Sequence, residues 1–574
     1  MRRRQRGSSI ARSLVAFAAV CLPIPFLLHL RISTQNDVAS INHRRLSLPN
    51  DVHPIPKDRA IVNTLRAFHK AGPLSASSPP RLISPYTLDD IILSALPTFE
   101  DVFGVVIYDP ASDRFILHYS KHMRWTGGCH KLVKSFRILA HSLRTMFPDR
   151  FARGTDQREL ALAISSGDYP EISLGRGQGL STEMIARRRE CYLGTFGGSP
   201  CVPPNLPPVL QFGSVFKSPE TYPSMIAMPL PQHNHISCYQ SFAVNQKVCA
   251  RYLPSSATNW RGLVFGDSLG LEWEELIPQV IWRGTDFSYL DRLHTRLRKP
   301  DFEMDVASKL KGASQDYNLN LATARAMREV YPQLVPRWKS VVLTAEAECE
   351  AEEKQNVFIE GQEIIPWANM KFAAAMHVGV KTPTSEIPYY QEFEKHGIPA
   401  IGEGMSLETL ARYKYHIDIG GGGGTTWSGS LEKLGLPGLL FHHETPMKDY
   451  LHEKMVKWVH YVPIKEDLSD LKEKFDWAET HPELAKRISN NATRLAKILG
   501  TQKGFSIMFN EFYENPLRGV IEAYQPSPND SADWLEAMIK NDLRPIIHCS
   551  GYYSYDCEGL VDDVSFSRAS QLST

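Results

Sequence analysis

Several signatures are missing from this 574-residue sequence, and each absence closes off a class of function. Net charge is nearly nil, with 64 Lys+Arg against 63 Asp+Glu, so a nucleic-acid backbone is not the expected partner. No CxxC occurs, which argues against a structural zinc site, and no HExxH marks a zinc hydrolase. Neither GxGxxG nor GxxxxGK[ST] is present, so the dinucleotide fingerprint and the P-loop are both absent. Asp-x-Asp is absent too, and with it the usual metal clamp for a diphosphate. There is no heptad array and no fixed-period repeat. After the first thirty residues no long apolar run returns.

What is there begins at the N-terminus. Arg2, Arg3, Arg4, Arg6 and Arg12 precede an apolar run from Leu14 to Leu30. A bilayer core needs about 20 apolar residues. The run reads as a signal-anchor, with a cleaved signal peptide as the alternative, and the arginines predict a luminal body. Cys129, Cys191, Cys201, Cys238, Cys249, Cys349, Cys549 and Cys557 form an even set in which 191/201, 238/249 and 549/557 are close enough for short-loop disulfides. Buried free thiols are the other reading. Asn491-Ala-Thr and Asn529-Asp-Ser are glycosylation sequons. Residues 31–100 read as a proline-punctuated stem, 101–275 and 276–525 as two domains, and 526–574 as a tail.

Inside the body, Val105–Asp109 and Phe115–Tyr119 read as paired strands, Lys131–Met146 as a helix and Leu160–Ile164 as a buried strand. Ile277–Trp282, Ser340–Leu343, Tyr415–Ile419, Gly438–His442 and Trp458–Pro463 read as further strands. Leu468–Glu479 and Pro482–Leu499 read as helices, with Pro482 suited to a first helical position. Such alternation predicts an α/β fold with parallel sheets covered by helices.

Three places have the residue types for chemistry. Gly420–Gly424 follows a strand and leads through Thr425, Thr426, Ser428, Gly429 and Ser430 into a helix. Glycines let a backbone approach a phosphate, and helix-start amides attract anions. A flexible ligand-free loop fits that spacing as well. Asp168 follows a buried strand, with Tyr169 and Pro170 after it, where a general base would reach an acceptor hydroxyl; a turn aspartate is the plainer alternative. Arg283, followed by Gly284, ends a strand, and its planar fork suits a diphosphate. A surface ion pair would explain it too. His233, His235, His442 and His443 lack helical metal spacing and read as structural, so no metal site is expected.

These places recur in one order in a known family. Ile164–Pro170, with Met146–Arg150 before it, Trp273–Thr285, Arg412–Tyr415 leading into the glycine loop, and Trp458–Leu468 together resemble glycosyltransferase family 90, over about residues 145–500. The resemblance implies a GT-B fold: two Rossmann-like domains facing across a cleft, carried here on an N-terminal membrane anchor and stem. It also implies a UDP-sugar donor, glucose or xylose, a protein or glycan acceptor, and no metal cofactor. Asp168 becomes the catalytic base and Tyr169 and Pro170 the acceptor side. Arg283, Gly284, Gly422, Gly423, Gly424, Thr425, Thr426, Ser428, Gly429 and Ser430 become the donor site. The expected location is the Golgi or endoplasmic reticulum membrane, as a single-pass type II protein. The family loop commonly ends in an arginine where this chain has Ser430, and that loss weakens attraction for a diphosphate unless Arg283 or Lys433 compensates. A non-catalytic sugar-binding relative and a luminal metal-dependent hydrolase are the alternative functions.

Overall fold

The structure is a computed structural model that describes residues 54–71, 83–120, 126–151, 158–173, 205–217, 225–228, 271–287, 335–356, 364–374, 397–426, 428–449, 452–499, 507–526, 534–541 and 543–545, with a few short pieces between them. All lie in one compact unit, Leu48–Thr574. The expected membrane segment at 1–30, His233, His235, Asn529 and most of the cysteines fall outside the described residues. Cys349 is described, and it is a buried free thiol. No described helix is long and apolar enough to cross a membrane.

Two sheets organise the body. The first contains β1 (Phe103–Asp109), β2 (Arg114–Ser120), β3 (Leu160–Ser165), β4 (Val209–Gln211) and β5 (Met225–Ala227). Helix α1 (Asp58–Ala71) precedes them, and α2 (Thr126–Met146) separates β2 from β3. The second sheet contains β6 (Ile277–Thr285), β7 (Ala368–Ala374), β8 (Tyr413–Asp418), β9 (Leu439–His443) and β10 (Val462–Ile464). Helix α3 (Pro336–Gln355) falls between β6 and β7, and α4 (Ser428–Gly435) between β8 and β9. After β10 come α5 (Leu471–Thr480), α6 (Pro482–Leu499) and α7 (Asn515–Ala523), then β11 (Leu543–Pro545).

The second sheet is wholly parallel, in the order β7-β6-β8-β9-β10. The chain therefore leaves β6 in one direction for β7 and returns past it to β8. In open α/β sheets ligands bind beyond the carboxyl ends of the two strands where that reversal occurs. Here the crevice lies beyond β6 and β8. The first sheet, β11-β2-β1-β3-β4-β5, is mixed. Strands β3, β4 and β5 run parallel, while β1 is antiparallel to both β2 and β3. The expected hairpin of β1 and β2 is present, and it makes only half of this sheet Rossmann-like.

Several expectations need correction. Residues 340–343 are interior to α3, not a strand. Val341, Val342 and Leu343 are buried together with Ser340 and Thr344, so the helix shows no polar stripe and its β-branched run resembles a strand. Thr344 Oγ1 donates back to the Ser340 carbonyl at 3.0 Å and accepts from Met370 N at 2.7 Å, which locks the helix onto β7. Residues from 54 onward are not all stem: α1 buries Ile61 and Leu65 in the core of the second sheet, and Ile91, Ala95 and Phe99 lie in the core of the first. Residues 508–524 and 543 also pack in the core of the first sheet, and β11 pairs with β2, so an independent tail beginning at 526 does not hold. Asn491 lies inside α6 at 5% exposure, which leaves no room for a glycan.

Four buried histidines, His118, His416, His443 and His460, are each pushed down to about 4 by burial. As pH falls the unfolded chain binds protons first, so stability declines from about pH 6.5 and the loss levels off near pH 4. Each such shift amounts to about 3 kcal/mol. Thermal melts should show a melting temperature at pH 5 at least ~10 °C below that at pH 7.5.

Candidate functional site

The glycine run begins where β8 ends, at the crevice of the parallel sheet. Gly420 N donates to His443 Nδ1 at 3.1 Å, and His443 Nε2 donates to the Glu466 carbonyl at 2.7 Å. This pair of bonds fixes the Nε2–H tautomer, in keeping with an imidazole that burial holds neutral. Gly421 N reaches the Thr425 carbonyl at 3.2 Å, and Gly424 N the Gly421 carbonyl at 2.9 Å, closing a tight turn. Gly424 has φ +75, a backbone state that favours glycine. A Cβ on Gly423 would sit 2.5 Å from the Asp168 carbonyl oxygen, and one on Gly421 would sit 2.5 Å from Arg337 Nη2.

The loop is held from both sheets. Ser214 Oγ donates a short hydrogen bond to the Gly423 carbonyl, and Thr445 Oγ1 donates to the Gly424 carbonyl at 2.8 Å. The amides of Gly422, Gly423 and Thr425 have no partner among the described residues. Thr425 Oγ1 is likewise buried without a partner. Buried polar groups are normally bonded, so this cluster of open donors beyond the strand end is a candidate anion cradle.

Asp168 arrives from the other sheet. It follows β3 in the loop Gly167-Asp168-Tyr169, and its carbonyl accepts from Ser214 N at 2.9 Å and from Ser214 Oγ at 3.2 Å. Ser214 follows the carboxyl end of β4, so one residue joins Asp168 to Gly423. The Asp168 carboxylate pairs with Lys131 Nζ on α2 and remains partly exposed. Tyr169 and Pro170 are buried, so they anchor this loop and do not form an acceptor surface.

Two expected donor contacts are engaged elsewhere. Ser430 is buried, and its Oγ donates to Asp418 Oδ2 at 2.8 Å. The same carboxylate accepts from His442 Nδ1 at 2.8 Å and His443 N at 3.1 Å. Burial acts to raise the Asp418 carboxyl, but His442, Lys433 and Ser430 together hold it below its ordinary value. Arg283 directs its guanidinium to the carbonyls of Glu403, Trp282 and Asn369 and to Asn369 Oδ1, at 2.9–3.0 Å. Its fork is thereby committed to joining β6 with β7 and the Glu403 loop. Gly284 sits where a Cβ would fall 2.3 Å from the Trp282 ring. Thr426 Oγ1 lies 2.5 Å from Ser430 Oγ, and Ser428 and Gly429 open α4. The Ser428 side chain is outside the described set. His442 and His443 point to different partners, as expected of structural residues.

Sequence reasoning missed Lys131, Ser214 and Arg337. Ser214 and Lys131 lie in segments without a motif. Arg337 stands before a run that reads as a strand, and nothing in its local sequence distinguishes it from any other cation. Yet Arg337 is buried, and donates to the carbonyls of Gly420, Ile419 and Thr285 at 2.8–3.2 Å.

The glycine contacts generate a paired prediction. Gly423→Ala must displace backbone and should cost about 1–3 kcal/mol. Gly429→Ala meets nothing closer than Lys433 Nζ at 3.4 Å and adds helix propensity, so it should be neutral or slightly stabilising. Denaturant titration of the two variants checks the contrast.

Residues 379–510 match the family model described as Glycosyl transferase family 90. Among curated proteins, the chain is 34% identical over 147 residues to protein O-glucosyltransferase 2 of Danio rerio, covering 25% of this chain and 27% of the relative. It is 33% identical over 114 residues to protein O-glucosyltransferase 3 of Rattus norvegicus, covering 19% and 21%. The human protein O-glucosyltransferase 3 is similar at 32% over 114 residues, again covering 19% and 21%. The chain thus matches these relatives over about a quarter of their length. The matched stretch, residues 379–510, contains β8, the glycine loop, α4 and the strands and helices that follow, and over it the chain is similar to glycosyltransferase family 90.

Proposed function

We propose that the protein is an inverting glycosyltransferase that moves a sugar from a UDP-sugar to a hydroxyl of a protein or glycan acceptor in the secretory pathway. The two sheets are read as the halves of a GT-B enzyme held at the Golgi or endoplasmic reticulum membrane by residues 1–30. The observation that carries the reading is the Ser214 junction, which joins the loop bearing the partly exposed Asp168 carboxylate to the loop bearing open anion donors. Glucose is the favoured sugar because the similar proteins are named O-glucosyltransferases; xylose is the second candidate.

In the proposed reaction Asp168 takes the proton from the acceptor hydroxyl. The acceptor oxygen forms a bond to the anomeric carbon from the face opposite UDP, and the bond from that carbon to the diphosphate oxygen breaks with its electron pair. Configuration inverts. Charge growing on the diphosphate meets the amides of Gly422, Gly423 and Thr425 and the Thr425 hydroxyl, donors that need no reorganisation. Lys131 holds the carboxylate in place until an acceptor hydroxyl competes for it.

A panel of nucleotide-sugars with mixed protein and glycan acceptors, scored for UDP release, tests the function. UDP-glucose or UDP-xylose should support release that depends on acceptor. Asp168→Asn should retain UDP binding while transfer falls about 10²–10⁴-fold. Transfer at the wild-type rate in that variant would remove Asp168 as base. UDP binding without release by the native protein would favour the non-catalytic sugar-binding reading.

A further inference from the structure

We infer that Arg337 supplies the positive charge of the donor loop from behind, in place of an arginine within the loop itself. This rests on the reading of Gly420–Ser430 as a diphosphate cradle. The first argument is position. Arg337 lies in the first turn of α3, and its Nη1 donates to the carbonyl of Thr285, the last residue of β6. Its Nε and Nη2 donate to the carbonyls of Gly420 and Ile419, which follow β8. One guanidinium therefore bridges the two strand ends that frame the crevice of the parallel sheet.

The second argument is electrostatic. Arg337 is 9% exposed, and burial pushes its guanidinium down to about 10, so it carries its charge at neutral pH in a poorly screened setting. The carboxylate acting on it is Asp286, which also accepts from Tyr390 Oη at 3.2 Å. Its hydrogen bonds go to carbonyl and hydroxyl oxygens, so they orient the cation without neutralising it.

The third argument is the sequence of the loop. Because a Cβ on Gly421 would lie 2.5 Å from Arg337 Nη2, glycine is what permits the charge to rest against the backbone. Arg337 also draws the Ile419 and Gly420 carbonyls to its own side, leaving the amides of Gly422 and Gly423 for the cradle. Ser430 is bonded to Asp418, and Arg283 is bonded to Glu403, Trp282 and Asn369 and to no residue of the glycine loop, so neither takes this role. Arg337 acts through the loop and is a positioning residue; it need not touch the ligand.

The test compares UDP with uridine, which has the base and ribose but no phosphate, on the full chain by calorimetry or competition. Arg337→Gln should weaken UDP at least tenfold, flatten the salt dependence of UDP affinity and change uridine affinity less than threefold. Arg337→Lys, which keeps the charge, should restore most of the salt dependence. Equal loss of UDP and uridine in Arg337→Gln would reduce Arg337 to scaffolding, and unchanged UDP affinity would remove it altogether. Should Arg337→Gln not fold, Gly421→Ala keeps the charge and forces it off the loop; weakened UDP with uridine retained supports the inference, and unaltered UDP overturns it. A native protein that binds no UDP would instead sink the donor-site reading itself, and this inference with it.

Discussion

A single hydroxyl, that of Ser214, joins the loops that follow the two sheets at the candidate site. Its oxygen donates to Gly423 on one sheet and is 3.2 Å from the Asp168 carbonyl on the other. Both neighbours must be bare for that approach, since a Cβ on Gly213 would fall 2.1 Å from the Asp168 carbonyl oxygen and one on Gly423 would fall 2.5 Å from it. The junction sets the distance between a carboxylate beyond β3 and the open amides beyond β8. Neither feature would mean much alone; a turn aspartate and a glycine loop are both common. Their enforced proximity distinguishes a site from two loops.

Beneath the loop lies a buried polar network that gives it a fixed shape. Asp418 accepts from Ser430, His442 and His443 N, and His443 in turn holds Gly420 and the Glu466 carbonyl. Tyr289 Oη donates to Glu466 Oε1 at 2.6 Å, extending the network to the chain beyond β6. A buried carboxylate is costly unless its oxygens are satisfied, and a fully satisfied network favours one arrangement over its neighbours. Ser430 belongs to this network and not to the ligand surface. A small hydroxyl fits over Asp418 at this position, where a long cation would have to leave the core.

The parts of the fold that were legible in the sequence share a cause. Strands β1 to β3, β6, β8 and β9 are short apolar runs bounded by turns, and α6 starts at a proline and buries one stripe; local pattern and tertiary role agree there. Residues 340–343 were misread because the first half of α3 is buried on nearly every side, which erases helical periodicity there. The segment 54–100 was misread because proline content signalled a stem, although Pro54 and Pro56 only precede a helix that packs through Ile61 and Leu65. At the candidate site, Asp168 and the loop could be placed at a sheet edge because each follows a strand. The engagement of Arg283 and the burial of Tyr169 could not, since both depend on carbonyls and core contacts contributed by segments far away in sequence.

The same reasoning explains five consecutive glycines without any standard phosphate motif. Glycine costs roughly 0.5–1 kcal/mol relative to alanine in chain entropy, so Gly420–Gly424 carries a penalty of about 3–5 kcal/mol. Hydrogen bonds from Ser214, Thr445 and Arg337, one to His443 and two internal turns offset it at about 1 kcal/mol each. The two sums nearly cancel, which means the loop is ordered by what surrounds it and not by its own residues. A GxGxxG or P-loop encodes its shape locally and can be read locally. Here the glycines only make room: Gly421 for a guanidinium from α3, Gly423 for a carbonyl from the other sheet, and Gly424 for a left-handed turn. The shape of the cradle is written in Ser214, Arg337, His443 and Thr445, and it exists only once both sheets have come together.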